Sequence, residues 1–140
     1  MDRKSLRNKS ATSPSKIFVT YADRNSLPIY LALSNLSIFF IRNTFSKMAS
    51  SPTKHAELMG MGIPVICNDI GDTGNIIRET KTGFLVNDLS EIGLMEAVNN
   101  IGAIEMMDKE PIRESAKQLF DLEIGVQRYL KVYQNILLKK

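Results

Sequence analysis

Short apolar runs alternate along the chain with stretches in which apolar residues recur three or four positions apart. Each run has the length of a β-strand, and the stretches between the runs have the spacing of amphipathic helices. This alternation predicts βα units around a parallel sheet. We therefore expect an α/β fold with a doubly wound, mostly parallel, Rossmann-like sheet of about four strands, at residues 16–21, 37–41, 64–67 and 83–86.

Cap and turn residues indicate where individual helices begin and end. Ser51 is expected to be the N-cap of a short helix with Pro52 in its first turn, and Gly60 and Gly62 are expected to end it. Other helices are predicted over residues 27–35, 76–79, 89–101 and 112–120. The last predicted helix carries an apolar stripe, formed by Val126, Tyr129, Leu130, Tyr133 and Leu137.

Length and composition limit the class of protein. The chain has 140 residues, of which 44% are apolar, so it is long enough for one domain with a core. No apolar run reaches the roughly 20 residues of a membrane helix, and no transmembrane segment is expected. Residues 1–15 are basic and polar, which predicts a flexible leader before a domain over residues 16–140.

Cysteine and histidine usage bears on metal binding and on the compartment. The sequence contains one cysteine, Cys67, and one histidine, His55. A single cysteine cannot form an internal disulfide, and these two residues alone make an isolated metal site improbable. We therefore expect no metal cofactor and a reducing compartment, the cytoplasm.

The run at residues 37–41, SIFFI, is apolar on both faces, as expected of a central strand in a parallel sheet. Ligands of open α/β sheets bind beyond the carboxyl ends of the strands. The loop that follows this run leads to the start of the helix expected after Ser51, where free backbone N–H groups and the helix dipole favour an anion. The sequence therefore predicts a phosphate-binding site in this loop.

The side chains of this segment suit a nucleotide. Hydroxyl groups can donate to phosphate, cations can pair with it, and a carboxylate in the helix can accept hydrogen bonds from the two hydroxyls of a ribose. That carboxylate, Glu57, lies too far along the helix to close a capping box with Ser51. The candidate residues around the phosphates are Arg42, Lys47, Ser50, Ser51, Thr53 and Lys54.

The same stretch resembles the donor-site motif of retaining glycosyltransferases with the GT-B fold, the group 1 or family 4 type. The core of the resemblance is E-x-M-x-x-G-x-P-V-I, preceded here by Ser-Pro-Thr-Lys, and it consists of Glu57, Met59, Gly62, Pro64, Val65 and Ile66. The IFFI run, the GD turn, TGFLV and the terminal helix follow the family's order. The resemblance thus covers residues 16–140.

This resemblance implies the donor-binding, C-terminal half of a GT-B enzyme. Glu57 would bind the ribose of a nucleotide-diphosphate-sugar such as a UDP- or GDP-sugar, and the loop at residues 47–53 would wrap its diphosphate and sugar. The loop around Tyr21 and Arg24 would lie beside the base. The expected reaction is hexosyl transfer to a glycan or lipid-linked acceptor, as in bacterial polysaccharide biosynthesis.

The sequence also departs from the family. Ala49 stands where many members have a glutamate that contacts the transferred sugar, and no basic pair for the donor phosphates precedes Lys16. We therefore expect that the first βα unit and the acceptor-binding domain are missing. The 140-residue chain alone should be inactive, and a separate acceptor-binding domain or chain would complete it at the inner membrane.

Two other functions were compared with donor binding. A non-catalytic nucleotide-binding module, or a remnant of such an enzyme, is the main alternative, because Ala49 and the missing domain agree with it. A nucleic-acid binder would rest on the basic leader and a net charge of +3 alone. No basic helix face or interleaved aromatic residues support it, so no nucleic-acid partner is expected.

Overall fold

The computed structural model describes residues 17–138. The chain divides into two compact units, Met1–Tyr30 and Leu31–Lys140. The predicted leader at residues 1–15 lies outside the described residues, as do Lys16, Lys139 and Lys140. No helix within residues 17–138 is both long enough and apolar enough to cross a membrane.

The first unit corrects the prediction of a strand at residues 16–21. Residues 17–22 form no strand, and the side chain of Phe18 is 84% exposed. Apolar and β-branched residues favour extended backbone, but a strand also needs a hydrogen-bonded neighbour, and the described sheet does not include this segment. The following turn is fixed by Asp23, whose Oδ1 accepts from the Ser26 N–H at 2.7 Å. Helix α1, Leu27–Ala32, then begins where predicted and ends three residues earlier than predicted.

The second unit contains a parallel sheet of three described strands, β1 (Ser37–Ile38), β2 (Val65–Asn68) and β3 (Gly83–Val86). Their order is β1-β2-β3, with Ile38 paired to Ile66 and Ile66 paired to Phe84. Strand β2 is therefore the central strand of the three, and all four of its residues are buried. The bounds predicted for β3 are confirmed, and β2 begins one residue later than predicted.

The prediction that SIFFI forms a central, fully buried strand is wrong within the described sheet. Strand β1 has β2 on one side and no described strand on the other. Ile38 is 56% exposed, whereas Phe39 on the opposite face is only 8% exposed. The composition of an apolar run does not show whether the strand lies at an edge or at the centre of a sheet. The neighbouring strands, which decide this, come from distant parts of the sequence. The described sheet accordingly has three strands, and not the expected four.

Helices cover both faces of the sheet. The helices after α1 are α2 (Phe45–Met48), α3 (Thr53–Gly60), α4 (Thr73–Thr80), α5 (Glu91–Glu105), α6 (Lys109–Phe120) and α7 (Leu122–Leu137). One face packs on α3 and α4, and the other packs on α5. The predicted doubly wound α/β fold with a parallel sheet is therefore confirmed.

The core follows the two faces of β2. Val65 and Cys67 pack with residues of α3 and α4, and Ile66 packs with residues of α5. Burial raises the pKa of the Cys67 thiol to about 11, so this cysteine is protonated at neutral pH. A third cluster joins α3, α4 and α6, and it contains Met59, Ile76, Ile112 and Ala116.

Helix α3 ends at the two glycines that were predicted to end it. Helix α3 ends at Gly60, and Gly62 follows with a left-handed φ of +70°. The Gly62 N–H donates to the Met59 carbonyl and the Ile63 N–H donates to the Leu58 carbonyl, which is the Schellman pattern. This turn directs the chain from the helix into β2.

Helix α7 confirms the predicted terminal helix, but its apolar stripe is exposed. No residue of α7 is buried in the described structure. Val126 and Tyr129 at its centre remain 46% and 69% exposed. The start of the helix is capped by Asp121, whose side chain accepts from the Ile124 N–H at 3.0 Å.

The imidazole of His55 lies inside the core of the second unit. It is fully buried, and neither ring nitrogen has a hydrogen-bond partner within the described residues. Burial lowers the pKa of His55 from 6.5 to about 4, because the charged form cannot be solvated there. The folded chain therefore holds this histidine neutral at physiological pH.

We expect the free energy of unfolding to fall as the pH decreases from about 6.5 towards 4. The unfolded chain binds a proton at His55 near pH 6.5, whereas the folded chain resists it, so about 2 kcal/mol should be lost between pH 7.5 and pH 5. Urea unfolding at both pH values measures this loss. His55→Leu should be less sensitive by that amount, and equal losses in the two chains would contradict the assignment.

Candidate functional site

A cavity of about 490 Å³ lies beyond the carboxyl end of β1. Its walls come from the residues after β1, from the loop around α2 and from the start of α3. It brings together six of the eight predicted site residues, Arg42, Lys47, Ser50, Ser51, Thr53 and Lys54, and the remaining wall is formed by Phe40, Ile41 and Pro52.

The cavity carries positive charge without a balancing acid. Arg42, Lys47 and Lys54 line it, and no carboxylate is among the lining residues. Within residues 17–138, none of these three cations forms an ion pair. The lining therefore has a net positive charge, which is the charge that an anionic ligand would require.

The start of α3 faces this cavity and lies one residue later than predicted. Pro52, and not Ser51, occupies the N-cap position, with extended backbone at φ −72° and ψ 118°. Pro52 has no side chain that could accept a hydrogen bond, and no side-chain cap is present. The His55 N–H donates to the Pro52 carbonyl at 2.9 Å, so within the described residues the N–H groups of Thr53 and Lys54 are the ones left open to an anion at the start of α3.

The loop between α2 and α3 is held by its own backbone. The Ser50 hydroxyl donates to the Lys47 carbonyl at 2.8 Å, so Ser50 uses its proton within the loop. The Ser50 carbonyl in turn accepts from the Asp72 N–H at 3.4 Å. Gly71 makes this approach possible, because its φ is +61° and a Cβ on it would lie 2.0 Å from the Ser50 carbonyl oxygen.

Asn68 at the end of β2 fixes the first wall of the cavity. Its Oδ1 accepts from the Ile41 N–H, and its Nδ2 donates to the Ile41 carbonyl, both at 2.8 Å. The side-chain amide thus continues the β1–β2 ladder beyond its last backbone pair and places Arg42 at the cavity. The predicted strand ended at Cys67, so the sequence prediction left Asn68 outside the sheet and did not identify this role.

The turn after β2 is rigid because of Thr73. Its buried Oγ1 accepts from the Ile70 N–H at 3.0 Å and lies 2.7 Å from the Asn68 carbonyl, to which it can donate. Asp69 forms an ion pair with Arg78 on α4. These contacts hold the segment between β2 and α4, whose Asp72 N–H donates to the Ser50 carbonyl of the cavity loop.

The other two predicted site residues lie elsewhere. Glu57 is exposed and lines a second cavity, of about 510 Å³, which contains residues of α3 and α6. Arg24 is exposed in the turn before α1 and belongs to the first unit. Their roles at a ribose and a base remain predictions. Within residues 17–138, no group of three or more His, Cys, Asp or Glu side chains is placed to hold a metal ion.

Comparisons with known proteins point to one family. The family described as glycosyl transferases group 1 matches residues 1–102. Among solved structures, the chain is similar to sucrose-phosphate synthase from Thermosynechococcus elongatus, with a TM-score of 0.69 and 20% identity over 98% of this chain. The chain spans 34% of the length of that structure, and at this identity the likeness shows the fold alone, that of GT-B enzymes. No curated protein matches the chain.

Replacing Asn68 should destabilise the chain. Asn68→Ala removes both hydrogen bonds to Ile41 and leaves its partly buried N–H and C=O without partners, which should cost about 2 kcal/mol of unfolding free energy. Urea unfolding measures this loss. Asn99→Ala on the exposed surface of α5 is the control, and an equal effect of the two changes would show that the amide does not anchor β1.

Replacing Gly71 should displace the loop at Ser50. Gly71→Ala introduces a Cβ that overlaps the Ser50 carbonyl and occupies a left-handed φ, so we expect a loss of about 1–3 kcal/mol. Gly102→Ala is the matched control, because no atom lies within 4 Å of its Cβ position on α5 and alanine there should stabilise the helix. Amide chemical shifts should change around Ser50 in the first variant, and unchanged shifts there would contradict the expectation.

Proposed function

Since the chain belongs to the group 1 glycosyltransferases, we propose that the cavity beyond β1 binds the diphosphate of a nucleotide-sugar donor. The observation that carries the proposal is the convergence of three unpaired cations with the open start of α3 on one cavity that has no acidic lining. A diphosphate needs such an arrangement, because several negative charges must be neutralised at neighbouring oxygens.

The dimensions and the lining suit this ligand. A volume of about 490 Å³ lies within the usual range of small-molecule sites, roughly 300–1,000 Å³. Ser51 and Thr53 supply hydroxyl groups beside the free N–H groups of α3, and Phe40 and Ile41 supply apolar wall on which a sugar ring can pack. Because side chains and helix neutralise the phosphates, the proposal needs no metal ion.

Glu57 is proposed to bind the ribose of the same ligand. It lies four residues after Thr53 on α3, so the two residues share one face of the helix, about one turn apart. A nucleotide with its phosphates at the start of α3 would extend along this face towards Glu57. The ribose hydroxyls would then donate to a carboxylate that has no other hydrogen-bond partner in the described structure.

The cations would also assist the chemical step of glycosyl transfer. As the bond between the sugar and the diphosphate breaks, negative charge develops on the leaving phosphate oxygen. Arg42, Lys47 and Lys54 line the cavity where this charge would form. Binding and leaving-group stabilisation are the roles proposed for this chain, with the glycan or lipid-linked acceptor held by residues outside it.

A non-catalytic nucleotide-binding module is the second candidate. Ala49, at the C-cap of α2, offers no carboxylate to the transferred sugar, and the lining residues include no aspartate, glutamate or histidine. The two candidates share the phosphate site and differ in whether transfer follows. Release of free sugar or transfer from a UDP- or GDP-sugar would favour the enzyme, whereas nucleotide binding without turnover would favour the module.

Calorimetric titration of the chain with UDP, GDP and inorganic pyrophosphate tests the phosphate site. Lys47→Met and Lys54→Met should each weaken pyrophosphate binding by about tenfold, because each removes one charge-assisted contact. Glu57→Ala should weaken UDP or GDP binding but leave pyrophosphate unchanged. Binding should also weaken with added salt.

Lys131→Met is the matched control for these titrations, because it removes one exposed lysine from α7 and should leave every affinity unchanged. If none of the three ligands binds at millimolar concentration, the donor site is excluded. If Lys131→Met weakens binding as much as Lys54→Met, the effect is one of net charge, and the cavity is not the site.

A further inference from the structure

Lys54 differs from the other two cations of the cavity in having an aromatic ring beneath it. Its Nζ lies 4.9 Å from the centroid of the Phe39 ring. Within residues 17–138, neither Arg42 nor Lys47 has such a contact. A lysine ammonium is carried on a flexible four-carbon stem, so a cation–π contact at this distance restricts where the charge lies.

The ring of Phe39 is itself held by the core. Phe39 is 8% exposed and packs in one cluster with Leu58 of α3 and Val65 of β2. Its ring meets the His55 ring in an edge-to-face arrangement, with 5.8 Å between centroids and 68° between planes. The side chain therefore cannot swing into the cavity, and it is not among the lining residues.

His55 does not compete with Lys54 for the ring. It is fully buried with no polar partner in the described chain, and burial lowers its pKa to about 4. At neutral pH the imidazole is therefore an uncharged neighbour that packs against Phe39. Lys54 is thus the one charged group that the described structure places on this ring.

We propose that Phe39 is a positioning residue that holds the Lys54 ammonium at the cavity, so that phosphate binding depends on a core ring which does not touch the ligand. The proposal rests on the proposed function of the cavity. A cation held in place before binding loses less side-chain freedom when the anion arrives, and this raises affinity without a new contact. The rigid β1–α3 core would thereby set the position of a surface charge.

Pyrophosphate titrations of a double-mutant cycle test this coupling. Phe39→Leu should weaken binding by about two- to fivefold, the size of an exposed cation–π interaction. Phe39→Tyr keeps the aromatic face and should restore most of the affinity. In the Lys54→Met background, Phe39→Leu should have no further effect, since the cation through which the ring acts is gone. A general disturbance of the fold would weaken binding in both backgrounds.

A measurement without ligand tests the placement of Lys54. The Lys54 Hε protons, which are on the carbon bonded to Nζ, should show upfield ring-current shifts in NMR spectra. These shifts should persist in Phe39→Tyr and disappear in Phe39→Leu. Lys54→Arg, which keeps a cation that can stack on the ring, should retain more pyrophosphate affinity than Lys54→Met.

The outcomes separate this proposal from the one on which it rests. If the unmodified chain binds pyrophosphate and Phe39→Leu binds it equally well, the positioning role is wrong and the phosphate site stands. Unshifted Lys54 protons in the unmodified chain would also overturn the positioning role. If the unmodified chain binds neither pyrophosphate nor UDP, the phosphate site itself is wrong, and the positioning role falls with it.

Discussion

Strand β2 must be buried on both faces while its backbone is paired on both edges, and the surrounding structure follows from this requirement. Its alternate side chains need α3 and α4 on one face and α5 on the other. Its last residue, Asn68, extends the pairing to Ile41 through a side-chain amide. The cavity walls therefore begin at the end of β2, the strand that is paired on both edges and covered on both faces. This strand fixes the backbone from which the lining side chains project.

Local signals in the sequence predicted much of the fold. The bounds of β3 and the end of α3 at Gly60 and Gly62 were predicted because turn residues and apolar runs determine them within a few positions. The failures concern pairing between distant segments. The run at residues 17–21 has strand composition but no partner in the described sheet, and β1 lies at an edge, where its sequence predicted the centre. Composition indicates whether a segment favours extended backbone, but the strands that pair with it come from distant parts of the chain.

The candidate site shows the same division. Six lining residues could be predicted because they lie in one continuous segment, residues 42–54, which runs from the residues after β1 to the first turn of α3, where the chemistry of anion binding is local. The residues that support them could not. Asn68 reaches Ile41 across 27 positions, and Gly71 meets Ser50 across 21, so no motif of fixed spacing reveals either contact. The N-cap of α3 is Pro52 instead of Ser51, and this depends on backbone angles that the Ser-Pro sequence does not determine.

The isolated histidine of the core has a practical consequence. His55 is the one histidine of the sequence, and it lies beside Phe39 in the first turn of α3. Its ring protons would therefore give a single, unambiguous pair of resonances in a region of the spectrum with little overlap. Any ligand, temperature or denaturant that loosens the packing around Phe39 should change those two signals, so His55 can serve as an NMR probe of the core next to the cavity.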